Sequence, residues 1–84
     1  MIQTVLKRDT QFLLRQAYDN PEEFSFALKN EKVYIQSDHF SPMCIGTLNT
    51  DDIPSVAIPM LKIKSWRLDK SQEDILSLRV CLTI

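Results

Sequence analysis

A single histidine, two cysteines and a few adjacent acids are the residues of this 84-residue chain whose types suit catalysis or metal binding. His39 follows Asp38 and precedes Cys44, an order that a thiol nucleophile with a neighbouring base could use. No motif surrounds Cys44, and neighbours in sequence need not meet in space, so a surface-loop histidine is the expectation. Asp51-Asp52 could ligate a hard cation, yet the regular carboxylate spacing of an EF-hand loop is missing. A structural zinc needs about four N/S ligands, and Cys44, Cys81 and His39 fall short of that. The lone glycine, Gly46, rules out a glycine-rich phosphate loop. No enzyme activity, cofactor or metal is therefore expected. Cys44 and Cys81 sit in apolar strand patterns without Cys-x-x-Cys spacing; a disulfide between them is the alternative, and the expectation is a pair of buried free thiols, which points to a reducing, cytoplasmic setting.

The recognition chemistry lies later in the chain. If Leu61 and Ile63 face a core, the pleat of a strand sends Lys62, Lys64 and Trp66 to the opposite side. The last segment places Ser77, Arg79, Cys81 and Thr83 on its own outward side. Paired antiparallel, the two sets give a basic face of Lys62, Lys64, Trp66 and Arg79, and these with the neighbouring Arg67 form the expected partner-binding site. Tryptophan and arginine are enriched at protein–protein hot spots. A basic sheet face with one indole could also stack and track single-stranded nucleic acid. A third reading buries Trp66 under the N-terminal helices and leaves the lysines to solubilise and protect an edge strand. Charge is uneven: residues 31–60 set Lys32 against Glu31, Asp38, Asp51 and Asp52, whereas residues 61–84 carry a net +2.

These residues need a scaffold, and the end of the chain defines it best. Leu76, Leu78, Val80, Leu82 and Ile84 alternate with Ser77, Arg79, Cys81 and Thr83, a period of two that predicts a long half-buried strand over 75–84. Upstream, Ile2, Val5, Leu6, Leu13, Leu14, Ala17 and Tyr18 recur at helical steps, which predicts a helix over 3–19. The alternative starts the helix at Asp9 or Thr10 and leaves Ile2–Leu6 as a strand. Asn20-Pro21-Glu22-Glu23 reads as the capped start of a second helix over 21–29, presenting Phe24, Ala27 and Leu28 on one side and leaving Phe26 off that face. Asn30 would close it in a left-handed conformation. From Lys32 the period changes to two, with strands around Val33 and Ile35, over 43–48 and from Leu61, the stretch 56–60 being broken at Pro59. The expected fold is α+β: one domain over 1–84, with two N-terminal helices packed on a four-stranded, mostly antiparallel sheet that ends in a long C-terminal hairpin.

Composition sets the outer limits. At 44% hydrophobic and 25% charged the chain has a globular balance, and a net charge of −1 argues against gross electrostatic capture of DNA. No stretch reaches the roughly 18 apolar residues of a membrane span, and the N-terminal charges follow the apolar residues, the reverse of a signal peptide. The run Asp19-Asn20-Pro21-Glu22-Glu23-Phe24, followed by strands and Thr50-Asp51-Asp52-Ile53-Pro54 before a terminal hairpin, resembles small tailed-phage head–tail connector proteins. That resemblance implies a helical start, a small β-barrel and a phage or mobile-element origin, although the glycine-rich turn and extra strand of that family are missing. The functional expectation is a non-enzymatic protein–protein interaction module of connector, inhibitor or immunity type, with single-stranded nucleic-acid binding by the basic hairpin face as the alternative. Its partner would be another protein or a second copy, with self-association through an edge strand, and no membrane is involved.

Overall fold

Leu76, Leu78 and Val80 are fully enclosed, as their alternation requires. They lie on the last strand of a computed structural model that describes residues 2–6 and 9–84. Its elements in chain order are β1 (Ile2–Leu6), α1 (Gln11–Asp19), a 3-10 turn (Pro21–Glu23), β2 (Phe24–Lys29), β3 (Lys32–Ser37), β4 (Phe40–Leu48), a second 3-10 turn (Ile58–Met60), β5 (Lys62–Lys70) and β6 (Leu76–Thr83). About half the chain is strand. A three-stranded sheet, β2–β3–β4, and a two-stranded hairpin, β5–β6, are bridged by β1, giving the order β2-β3-β4-β1-β6-β5 with every pairing antiparallel.

The expected two helices on a four-stranded sheet are thus replaced, among the described residues, by one helix and six strands. The first helix loses its N-terminal part to β1, whose backbone pairs with β4 at Thr4↔Leu48 and with β6 at Ile2↔Val80. A five-residue apolar segment fits a helical stripe and a strand equally well. Here it fills the slot between two ladders, where its amides and carbonyls find partners on both sides. What remains of the helix begins after the buried Thr10, whose carbonyl accepts from the amides of Leu13 and Leu14 at 3.1 and 3.0 Å.

The second predicted helix stops after one turn. Pro21 stands at its start and Glu22 and Glu23 in its first turn, but Asn20 makes no side-chain cap hydrogen bond to it. The Asn20 side chain instead points back, its Nδ2 donating to the Gln16 carbonyl at 3.4 Å. From Phe24 the chain is extended, because Phe24 and Phe26 are two apart and both are wanted in the core, which a strand allows and a single helix face does not. Asn30 does take a positive φ (51°), as expected, but together with Glu31 (72°) it forms a two-residue hairpin turn between Lys29 and Lys32. Positive φ at both central residues matches the twist of a β-ribbon. Glutamate is a poor residue there, since its Cβ crowds the carbonyl. Glu31→Gly is therefore expected to raise stability by about 1 kcal/mol, read as a higher urea midpoint at unchanged m-value. A lower midpoint would mean that the Glu31 side chain, and not its backbone, holds the turn.

One cluster of buried side chains runs through all of this, with Leu13, Leu14 and Ala17 of α1 joining Phe24, Phe26, Val33, Ile35, Ile45, Leu48, Leu76, Leu78 and Val80. The helix is tied to the hairpin at two points. The Gln11 side-chain amide donates to the Leu76 carbonyl (2.8 Å) and accepts from the Leu76 amide (2.9 Å), in the manner of a neighbouring strand. One turn on, Arg15 donates to the Asp74 carbonyl and carboxylate at 3.0 and 2.8 Å. Lys70 bonds the same carboxylate at 2.9 Å, and with Arg15 beside it this holds the Asp74 carboxyl below the usual carboxylate range. The tie is therefore in place at neutral pH and is released as acid protonates Asp74.

The curled sheet brings its edge strands β2 and β5 side by side. The Phe26 and Trp66 rings meet edge to face across this seam, with centroids 4.7 Å apart. No ladder joins β2 to β5 among the described residues, so side chains close the gap.

Candidate functional site

The hairpin face expected to carry recognition is only partly assembled. Ile63 pairs with Leu82, but the next pairing is Ser65 with Cys81, which makes Lys64 the extra residue of a β-bulge. One inserted residue exchanges the two faces of the strand beyond it. Trp66 therefore lies opposite Val80, on the core side with Leu68, and packs against the cluster instead of joining Lys62 on the outer face. The outer face holds Lys62, Ser65, Arg67 and Asp69 on β5 and Ser77, Arg79, Cys81 and Thr83 on β6.

Charge on that face is largely internal. Arg67 and Arg79 stand directly opposite each other, and Asp69 accepts from both, from Arg67 Nε at 3.0 Å and Arg79 Nε at 2.8 Å. All three are partly exposed, so the network adds little stability, but it keeps two guanidinium groups side by side. Lys62 and Lys64 are exposed and form none of the ion pairs found among the described residues.

The other sequence candidates separate in space or lack partners. His39 sits exposed in the β3–β4 turn, its backbone amide donating to Ser37 Oγ at 3.1 Å. The Cys44 thiol points to the Gly46 carbonyl at 3.6 Å. Both cysteines are free and only half-buried, less enclosed than the strand patterns predicted. Asp51 uses its amide in a local turn closed by Asn49 Oδ1 at 3.2 Å. Among the described residues no three His, Cys, Asp or Glu side chains come together in a way that could hold a metal ion, and no helix is long and apolar enough to cross a membrane.

Two surfaces were not foreseen. The first is the connection between β4 and β5, residues 49–61. Ile53 and Leu61 anchor it against the core, while Val56 stands 84% exposed and Met60 53% exposed around the Ile58–Met60 turn. The sequence signal was present: the run Val56-Ala57-Ile58-Pro59-Met60 is apolar, and Pro59 disqualifies it as a paired strand. The second is the outer face of the β2–β3–β4 sheet, where Ala27, Tyr34, Gln36 and Pro42 line a hollow of about 440 Å³. A second hollow, of about 260 Å³, adjoins it at Gln36 and is bordered by Glu22, Glu23 and Asp38. That face became visible only once 24–29 proved to be a strand.

Comparison with protein-family models, with curated proteins and with solved structures finds no match to this chain. The resemblance to phage connectors gains nothing from these comparisons, and the first described element is strand β1, not the helical start that the resemblance implied.

Proposed function

We propose that the chain is a non-enzymatic protein-binding module whose contact surface is centred on the loop over 49–61. The observation that carries this reading is the exposure of Val56 and Met60 within one turn of a loop that is otherwise anchored to the core by Ile53 and Leu61. Long connections in small domains are seldom retained without a role, and apolar side chains held in water by a rigid base favour burial against a partner. Met60 is followed, after the anchoring Leu61, by Lys62 and Lys64, so the basic start of β5 adjoins the apolar loop and supplies a polar rim. The nucleic-acid alternative has weaker support. The outer face of the hairpin offers no aromatic ring for stacking once Trp66 turns inward, and Asp69 offsets its arginines.

The test is Val56→Asp combined with Met60→Asp. Exposed positions contribute little to folding, so the melting temperature should stay within a few degrees of the parent. Recovery of the protein captured by the parent chain from its native host should fall at least about tenfold, equivalent to ~1.4 kcal/mol. Undiminished capture by a folded double variant would exclude this loop as the site.

A further inference from the structure

We infer that the outer face of the β2–β3–β4 sheet is a two-fold interface between two copies of this chain. The inference stands apart from the loop reading, because it rests on a different face. Register places Ser25, Ala27 and Lys29 of β2 and Lys32, Tyr34 and Gln36 of β3 on that side, with Ala27 directly opposite Tyr34 at its centre. The hollow lined by Ala27, Leu28, Tyr34 and Pro42, with Gln36 and Lys29 at its rim, occupies the middle. A half-wet tyrosine in a shallow apolar depression is a common centre of a protein interface, since its ring buries area while its hydroxyl keeps a polar partner.

Charge decides which partner fits. At one end of the face Glu22, Glu23 and Asp38 border the hollow with no cation among its lining residues. At the other end the exposed Lys29 and Lys32 stand opposite each other, with only Glu31 in the turn between them. A six-residue strand separates these ends by about 17 Å, beyond the screening length of roughly 10 Å, so they act as distinct poles. A closed dimer must match one patch with itself. A two-fold axis through the Ala27–Tyr34 pair does so, because it lays the acidic end of one copy on the lysine end of the other. The two outer faces would stack as sheets do, about 10 Å apart. A net charge of −1 leaves little long-range repulsion to oppose this.

Sedimentation equilibrium on the full chain at low salt tests the proposal. The parent should sediment at twice its 9.8 kDa mass and dissociate as salt is added. Tyr34→Glu should give a folded monomer by circular dichroism and sedimentation. Lys29→Glu with Lys32→Glu, or Glu22→Lys with Glu23→Lys, should each weaken association at least about tenfold, because like charges then meet across the axis. All four changes together should restore it, an outcome that a general loss of folding could not produce. A parent that stays monomeric at every concentration, or a dimer indifferent to Tyr34→Glu, overturns the interface. Failure of the four-fold variant to re-associate overturns the two-fold register. The Val56 and Met60 variant should still dimerise, which separates this interface from the loop.

Discussion

Leu78→Ala is expected to destabilise the protein by about 3 kcal/mol, a large share of the stability of so small a domain. Leu78 is 0% exposed and lies between Leu76 and Val80 on β6, the strand held by β1 on one side and β5 on the other. Truncation would remove its transfer free energy and leave a cavity that a central strand, pinned by two ladders, cannot collapse around. Opposite it on β5 stands Leu68, which would lose its facing contact. In thermal unfolding the shift should exceed about 10 °C for a chain of this length. Arg79→Ala, one position on and facing outward, is the control. It loses only the exposed contact with Asp69 and should move the midpoint little. If Leu78→Ala melted within a degree or two of the parent, the inward assignment of the even positions would be wrong.

Phe26→Ala should cost a comparable amount, on the order of 3–5 kcal/mol, and should act on a different part of the fold. Phe26 is 7% exposed and its ring meets Trp66 across the seam between β2 and β5, where no ladder pairs the two strands among the described residues. Elsewhere in the sheet a backbone ladder would survive a missing side chain. At this seam side-chain packing alone joins the edges, so the variant should also expose the Trp66 indole, seen as a red shift and added quenching of its fluorescence. A double-mutant cycle with Trp66→Ala should give a coupling of about 1 kcal/mol for the ring pair. Additive single effects would mean that the two rings fill the core independently and that the seam is closed by other contacts.

The two variants probe features that differed in legibility. The amino-acid order alone determined the strand near the end of the chain, the break at Asn20-Pro21 and the left-handed backbone at Asn30, but not the helix expected between the last two. In each case the signal is local. Aliphatic residues at a period of two share one face only in a strand, which buries Leu76, Leu78 and Val80 and partly covers Leu82 while Ile84 beyond the strand stays exposed, and a proline or a left-handed asparagine constrains its own backbone wherever it stands. Tertiary structure alone decided three other points. Ile2–Leu6 and Phe24–Lys29 are each short enough to satisfy a helical stripe or a strand, and their state depends on whether a neighbouring ladder offers hydrogen bonds along their length. β1 finds such ladders on both sides, and β2 finds β3 through a tight turn. The facing of Trp66 depends on the bulge at Lys64, a single inserted residue that leaves no mark in composition or charge yet exchanges inside and outside for the rest of β5. Side-chain periodicity carries the shape of a strand, but which neighbour it pairs with, and in what register, is a property of the whole assembly of strands.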